Sequence, residues 1–220
     1  MSRKPVELEP KQAFRLQSMG LVQVLHQEVM PCCGLYRQYF SDRLGKLRLN
    51  LLQENRLATI VFIGVVDFEA KMKSDPEQTQ NLLYQDFQII TQLSQQFEGQ
   101  VLKSIGDGLL LYFPSVSNAV NCAQEIQLAF WQVAEATSES VLTYRIGIHF
   151  GDVIFSYTDI MGTGVNIATC VQAEAPAGGI CISQAVYEAV KNYLPLQPIN
   201  IGRRQLEGIE EPMPLYQLSL

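Results

Sequence analysis

The chain is poor in charge of either sign and has no excess of basic residues. Charged residues make up 17% of its 220 residues, and 16 Lys and Arg against 22 Asp and Glu give a net charge of −6. An acidic chain lacks the broad basic surface that binds DNA or RNA, so we expect no nucleic-acid partner. No apolar run approaches the roughly 20 residues that cross a bilayer, so we expect no membrane span.

Cysteine and histidine are also scarce. Five cysteines, an odd number without regular spacing, and two histidines indicate neither a disulfide framework nor a metal cluster. The adjacent Cys32 and Cys33 are predicted to be free thiols, with lipidation or redox sensing as alternatives. The first residues lack the apolar segment of a secretory signal. These absences together predict a cytoplasmic protein.

The chain has enough apolar material, 47% of its residues, for one domain with a sizeable core and an extension. Residues 1–10 carry two prolines and several charges and are predicted to be a flexible lead-in. Residues 11–56 are predicted to be a helical extension, because their apolar residues recur at helical steps. We interpret this extension either as a helix packed on the main domain or as a dimerisation or signal-input element.

Residues 57–220 alternate between strand and helix patterns. Their order, β-α-β-β-α-β followed by a β-rich appendage, predicts an α+β fold of the ferredoxin-like kind. A Gly-Asp-Gly turn is predicted to join two of the strands as a hairpin. The predicted strands and helices are strand 57–66, helix 76–97, strands 100–105 and 109–113, helix 114–136, strand 142–150 with 153–156 as its hairpin partner, helix 164–175, strand 180–183, helix 184–192, and strands 195–201 and 215–220.

Two segments carry the residue types of a binding or catalytic site. Residues 103–108, Lys-Ser-Ile-Gly-Asp-Gly, place a cation and a carboxylate four residues apart at a tight turn. Residues 159–170 begin with an Asp before a Gly-rich turn and continue with Asn166 at the start of a helix. Taken singly, Lys103, Asp159 and Asn166 are typical of a solvated strand residue, a turn residue and a helix N-terminal residue.

Taken together, these segments make residues 57–220 resemble the catalytic domain of class III adenylate and guanylate cyclases. The resemblance implies a dimer with sites at its interface, and attack of a ribose 3′-hydroxyl on the α-phosphate of ATP with Mg²⁺ or Mn²⁺. Lys103 and Asp159 are implied to contact the purine, Asn166 to orient the ribose and Asp107 to hold metal. The motifs that carry it are residues 58–62, 103–108, 145–154, 159–166, 178–183, 206–209 and 215–216.

Three positions depart from the family pattern. The family's first metal carboxylate falls at Gly64, the glycine of its phosphate-binding turn falls at Asp67, and its transition-state arginine falls at Cys170. Asp107 alone is a thin ligand set for two divalent cations, which require oxygen ligands. A neutral thiol does not stabilise charge developing on a phosphate. Asp67 as a displaced metal ligand is an alternative that its place in the turn disfavours.

Three hypotheses follow for the function. The first is a degenerate cyclase domain without catalysis that acts as a regulatory or scaffolding module, forms a homodimer and binds a purine nucleotide. The second is an adenylate cyclase that is weakly active, or active only as a heterodimer with a partner chain that complements the missing groups. The third is a protein–protein adaptor that binds no nucleotide.

Overall fold

The computed structural model describes residues 22–25, 28–31, 54–136, 141–155 and 160–218, and the chain divides into two compact units, Met1–Gln53 and Glu54–Leu220. In the first unit, β1 (Val22–Leu25) and β2 (Glu28–Pro31) form an antiparallel pair. The flexible lead-in predicted for residues 1–10 and the thiols of Cys32 and Cys33 lie outside the described residues.

The helical extension predicted over residues 11–56 is wrong wherever the structure describes that range. Residues 22–25 and 28–31 are strands, and residues 54–56 belong to the first strand of the second unit. The physical reason is that Val22, Val24 and Val29 are β-branched, which favours extended backbone. Apolar residues at every second position there satisfy strand alternation as well as the helical spacing.

The second unit is a mixed sheet with helices. Its elements are β3 (Glu54–Val65), α1 (Phe68–Ser74), α2 (Pro76–Gln96), β4 (Gln100–Ile105), β5 (Gly108–Phe113), α3 (Val116–Ala136), β6 (Tyr144–Phe155), β7 (Ile160–Met161), α4 (Thr163–Ala173), β8 (Ile180–Ser183), α5 (Gln184–Val190), β9 (Ile199–Arg204) and β10 (Met213–Leu218). The strands run in the order β4-β5-β3-β6-β8-β10-β9, with β7 paired to β6, and β6 and β8 are the parallel pair. The connection β3-α2-β4-β5-α3-β6 confirms the predicted ferredoxin-like arrangement.

One local prediction is wrong. The predicted hairpin, strand 142–150 with 153–156, is instead the single strand β6, whose hairpin partner is β7. The short helix α1 had no counterpart among the predicted elements. The glycine at position 151 serves side-chain packing rather than a turn. A Cβ there would stand 2.5 Å from Nε2 of His149.

The core lies on both faces of the sheet, because β3 is buried on both. One face packs against α2 and α3, and the opposite face packs against α4. Residues on the first face include Val61, Ile63, Ile90, Ile126 and Ile148. Residues on the second include Ile60, Phe62, Leu110, Val165 and Ala168.

The contact of α4 with β6 is unusually close and depends on Gly147. A Cβ at residue 147 would lie 2.2 Å from the backbone nitrogen of Gln172 and 2.6 Å from the carbonyl oxygen of Ala168. Both neighbours are backbone atoms of the helix, so neither can turn aside. The absence of a side chain at Gly147 therefore sets how near the helix lies to the sheet.

A partly buried hydrogen bond links α2 to β6. The hydroxyl of Tyr144 donates to the carboxylate of Asp86 at 2.8 Å, and the Tyr144 ring stacks on Phe130 with ring centroids 4.7 Å apart. Burial raises the pKa of both Asp86 and Tyr144, and the charge of Asp86 adds to the rise at Tyr144. The pair therefore fixes the end of the sheet that adjoins Asp107, whose charge also acts on Tyr144.

His149 is a core residue of β6. Its Nδ1 lies 2.9 Å from the hydroxyl oxygen of Ser183 on β8, and both side chains are buried. Burial lowers the pKa of His149 to about 4, because the charged imidazolium loses its hydration.

Among the helices in the described part of the chain, none combines the length and the apolar character that a membrane span requires.

We predict that Gly147→Ala costs more stability than Gly64→Ala. The added methyl at 147 meets helix backbone, whereas at 64 it meets the terminal amide of Gln172, which is free to rotate. Overpacking of this kind costs about 1–3 kcal/mol. Urea unfolding of the two variants measures the difference in the free energy of unfolding. Equal losses would contradict the close approach of α4 at Gly147.

We predict that His149 makes stability fall between pH 6.5 and pH 4. The unfolded chain takes up this proton near the ordinary histidine pKa of 6.5, and burial lowers the pKa in the folded chain to about 4. The unfolded state therefore binds more protons in this window, so stability is complete above it and is lost as pH falls, by about 3 kcal/mol. The check is urea unfolding against pH. His149→Gln should flatten the slope in this window, and an unchanged slope would refute the assignment.

Candidate nucleotide and metal site

The end of β3 and the β4–β5 turn enclose an open depression of about 530 Å³. Its polar lining is mostly acidic, with Asp67, Glu69 and Asp107 beside Lys73. The remaining lining residues are Val65, Phe68 and Ala70. Asp67 and Asp107 line it, and Gly64 precedes Val65, which also lines it. We call Gly64, Asp67 and Asp107 the carboxylate half of the candidate site.

Asp107 lies in the tight turn between β4 and β5, as predicted. Gly106 before it adopts a φ of 60°, a left-handed conformation that glycine accepts without strain. The backbone N–H of Val65 donates to Oδ2 of Asp107 at 3.2 Å. This bond ties the hairpin to the end of β3, and it uses one of the two carboxylate oxygens.

Gly64 lies on β3 next to the last residue of the strand, and the space for its missing side chain is occupied. A Cβ at this position would stand 2.6 Å from Nε2 and 3.3 Å from Cδ of Gln172. Gln172 belongs to α4 and reaches across from the helix that Gly147 admits. A neutral amide therefore lies where the resemblance implies a metal-binding carboxylate.

Arg145 is the residue directly opposite Gly64 in the β3–β6 pair. Directly paired residues of an antiparallel sheet point to the same face, so the Arg145 side chain shares the α4 face with the Gly64 position. Its Nε is buried and has no hydrogen-bond partner among the described residues. Arg145 thus shares a face with the Gly64 position, although it is not among the residues that line the depression.

Asp67 begins α1 from a left-handed backbone, with φ 53° and ψ 35°. Non-glycine residues adopt this conformation rarely, and Asp more readily than most. Its side chain is exposed and makes no capping hydrogen bond. Asp67 therefore keeps the left-handed backbone conformation that glycine adopts easily, and its carboxylate adds a negative charge to the turn.

The residues of the carboxylate half do not fit a pair of divalent cations. No three His, Cys, Asp or Glu side chains come together as a metal-binding group in the described part of the chain. Asp107 is a single carboxylate with one oxygen already accepting from Val65. Mg²⁺ requires near-octahedral oxygen coordination, and the amide of Gln172 and the guanidinium of Arg145 bring N–H groups instead.

The implied nucleotide-contacting residues lie elsewhere on the domain. Lys103 is half-buried on β4, an edge strand of the sheet, and Asn166 is exposed in the first turn of α4. Asp159 lies outside the described residues. As far as the structure describes the chain, the depression is lined by Asp107 but not by Lys103 or Asn166.

Cys170 lies one helical turn after Asn166 on α4, and its thiol contacts the backbone of Glu207. Its Sγ lies 3.6 Å from the carbonyl oxygen of Glu207, and the side chain packs against a cluster that includes Leu206 and Leu215. Burial raises the pKa of this thiol. The position that the resemblance gives to an arginine therefore carries no charge.

Sequence reasoning missed Gln172 and missed the role of Arg145. Gln172 carries no motif of its own, and its proximity to Gly64 depends on how closely α4 packs. Arg145 was noted as the first residue of a motif, but its pairing with Gly64 required the strand register. Aligning the predicted strands 57–66 and 142–150 in antiparallel register is the signal that would have found it.

Comparison with known proteins identifies the family of the second unit. Residues 52–219 match the family model described as adenylate and guanylate cyclase catalytic domain. Residues 1–43 match a model described as an AAA-like domain. The putative adenylate cyclase 3 of Rhizobium meliloti is 30% identical over 166 residues, which cover 74% of this chain and 28% of that protein. The chain spans less than a third of the length of that relative.

Solved structures show the same fold. A protein of Silicibacter pomeroyi described as adenylate/guanylate cyclase/hydrolase aligns with a TM-score of 0.68 and 30% identity over 76% of this chain and 98% of that one. The adenylyl cyclase CyaB of P. aeruginosa aligns with a TM-score of 0.65 and 21% identity over 77% of this chain and 96% of that one. From residue 52 onward, then, the chain belongs to the adenylate and guanylate cyclase catalytic domain family.

Proposed function

We propose that this domain is a catalytically silent member of the cyclase family that binds a purine nucleotide and acts as a regulatory or scaffolding module. The observation that carries the proposal is Gly64, whose side-chain space holds the amide of Gln172. With Asp107 as the only carboxylate of the implied metal pair, no group of side chains in the described part of the chain forms the two-cation site that the family's reaction needs.

Cys170 supports the same proposal, because a neutral thiol stands where the resemblance implies a charged arginine. Stabilising charge on a reacting phosphate is usually the largest catalytic contribution, and removing one such donor costs on the order of 10²–10³ in rate. The thiol of Cys170 packs toward Glu207 rather than outward. A homodimer would lack both the carboxylate and the arginine at each of its sites.

Nucleotide binding is supported by the groups that remain. Lys103 and Asn166 occupy the positions that the family resemblance gives to base and ribose contacts, on β4 and α4 respectively. Adenine is the base that the pairing of Lys103 with Asp159 favours. ATP is therefore the nucleotide that we propose as ligand, and the unpaired thiols Cys122, Cys170 and Cys181 support a reducing, cytoplasmic setting.

A homodimer is proposed because the α4 face of the sheet is incompletely covered beside β4 and β5. Leu102, Tyr112 and Phe155 are only partly buried at the edge of this apolar cluster, and Met161 is exposed. Contiguous apolar surface of this kind marks an interaction site. The family's composite sites would bring the carboxylate half of one copy to the Lys103 and Asn166 of the other.

A second candidate is an adenylate cyclase that requires a complementing partner chain. The observation that favours it is the separation of the two halves, since Lys103 and Asn166 do not line the depression around Asp107. A heterodimer would then join these residues to a partner's metal carboxylates, with Mg²⁺ or Mn²⁺ and ATP. Binding of this chain to a cyclase chain together with a gain of cyclic AMP synthesis would favour this candidate.

We predict no cyclic AMP synthesis by the domain with Mg·ATP or Mn·ATP, although calorimetry should detect ATP binding. The triple variant Gly64→Asp, Asp67→Gly, Cys170→Arg should gain metal-dependent synthesis, because the other implied site residues are in place. Each single change should do almost nothing, since residues that act as a unit are non-additive.

The matched control is Asp107→Asn in the triple variant, which should abolish the gain. Turnover by the unmodified protein on the order of 1 s⁻¹ would overturn the silent assignment. Absence of ATP binding in a folded, dimeric sample would instead favour the adaptor hypothesis.

We predict a dimer at micromolar concentration, because the apolar face around Tyr112 and Phe155 is too large to leave in water. Light scattering checks the mass. Tyr112→Lys should shift the protein towards monomer, whereas Tyr193→Lys, at an exposed position after α5, should not. A strictly monomeric unmodified protein would refute the prediction.

A further inference from the structure

The outer face of α3 exposes two large apolar side chains. The inner face of this helix, which packs on the sheet, holds its buried residues, among them Ile126 and Phe130. On the outer face Leu128 is 38% exposed, and Trp131, one turn later, is 56% exposed. Proteins bury most of the surface of an average tryptophan. An indole that is more than half exposed beside a second apolar side chain therefore marks an interaction surface.

Carboxylates lie on both sides of this apolar pair along the helix. Glu125 precedes Leu128 by three residues and is exposed. Glu135 follows Trp131 by four residues and is also exposed. Residues three or four apart are neighbours on one face of a helix, and the two glutamates are separated by roughly 15 Å along the axis. We call Glu125, Leu128, Trp131 and Glu135 the α3 stripe.

Tyr84 of α2 adds a second aromatic side chain to this side of the domain. Tyr144 joins the two helices at one level, because its hydroxyl donates to Asp86 of α2 and its ring stacks on Phe130 of α3. Tyr84 lies two residues before Asp86, which turns it by about 200° from that inward-facing carboxylate. It is 69% exposed. Tyr84 therefore lies on the outer side of the helix next to the α3 stripe.

The charged side chains of these two helices are all acidic. Helices α2 and α3 contain Glu77, Asp86, Glu125 and Glu135 and no Lys or Arg. Opposite charges across an interface favour association, and like charges oppose it. A second copy of the same face and a membrane of anionic lipids would both bring negative charge to negative charge. The complementary partner carries Lys and Arg around an apolar face, as basic amphipathic helices do.

We propose that the α3 stripe and Tyr84 bind a basic amphipathic helix of a partner protein. Trp131 is the central apolar anchor, and Lys or Arg side chains of the partner lie opposite Glu125 and Glu135. The spacing of these carboxylates asks for basic residues about three helical turns apart on the partner. The inference rests on the scaffolding role proposed above, to which it gives a class of partner, and is independent of nucleotide binding.

The first experiment uses the fluorescence of Trp131, which is the one tryptophan of the 220 residues. The probe is a helical peptide of roughly five turns, with Leu on one face and Lys on the other. Titration into the full chain should shift the emission to shorter wavelength and saturate, because the indole leaves water. A peptide of the same composition in scrambled order should bind on the order of tenfold more weakly, and one with Glu in place of Lys should cause no shift.

The second experiment measures binding of the same peptide to variants by calorimetry. Trp131→Ala should weaken binding on the order of thirtyfold, as expected for an aromatic anchor. Tyr193→Ala, which removes an exposed aromatic side chain outside this face, is its matched control and should change nothing. Thermal melts establish that each variant is folded.

The charges are tested by reversal. The double variant Glu125→Lys, Glu135→Lys should weaken binding on the order of tenfold, because like charges then face each other. The double variant Glu210→Lys, Glu211→Lys makes the same change in net charge at exposed positions between β9 and β10 and should leave binding unchanged within about twofold.

The outcomes separate this inference from nucleotide binding. Loss of peptide binding in Trp131→Ala and in the Glu125 and Glu135 reversal, with both controls intact, supports it. No shift, equal binding of the scrambled peptide, or equal weakening by the Glu210 and Glu211 reversal overturns it. A shift caused by vesicles of phosphatidylglycerol would instead assign the face to a membrane. A lower mass of Trp131→Lys in light scattering would assign it to a second copy, and either result overturns the inference.

Calorimetry with ATP is the independent measurement. Peptide binding without ATP binding leaves the inference standing and overturns only the nucleotide part of the proposed function. ATP binding without peptide binding overturns the inference and leaves the nucleotide part standing.

Discussion

The close packing of α4 on the sheet is the constraint on which the site depends. Gly147 lets helix backbone approach to a distance at which a methyl group would clash with Gln172 and Ala168. At that distance Gln172 reaches the neighbouring strand and fills the space beside Gly64. The same helix carries Asn166 and Cys170, so one packing contact places residues of both halves of the candidate site. A side chain at residue 147 would therefore displace α4 and with it the site residues that this helix carries.

Electrostatics decides what the carboxylate half can bind. At the end of β3 the backbone N–H of Val65 donates to Asp107 and that of Val66 donates to the carbonyl oxygen of Thr143. The Asp107 carboxylate is thus already engaged in holding the hairpin to the strand. The depression around it has an acidic lining, since Asp67 and Glu69 lie there with a single lysine, Lys73. With glycine at residue 64, the carboxylate half lacks the second metal carboxylate that the family's reaction uses to activate a hydroxyl.

The sequence predicts the fold of the second unit well, because its signals there are strong and local. The apolar run of β3, the Asp-Gly turn at Asp107 and the alternation of helix and strand each have one structural solution. The β1–β2 pair was missed because valines at alternate positions also satisfy a helical count, and the continuity of β6 was missed because Gly151 resembles a turn. The place of Arg145 required aligning two predicted strands in antiparallel register, and that of Gln172 depends on helix packing that no local pattern encodes.

Gly64 and Gln172 form one unit, because the amide of Gln172 fills the space that a side chain at residue 64 would need. An aspartate introduced at residue 64 would meet the amide of Gln172 at 2.6 Å from its Cβ and the guanidinium of Arg145 from the opposite strand. The amide must turn away before the new carboxylate can point towards Asp107, and an ion pair with Arg145 competes with that orientation. Mutations at residues in direct contact have interaction energies of roughly 0.5–3 kcal/mol. We therefore propose that the absence of catalysis depends on three residues together, Gly64 on β3, Arg145 on β6 and Gln172 on α4, rather than on one missing carboxylate.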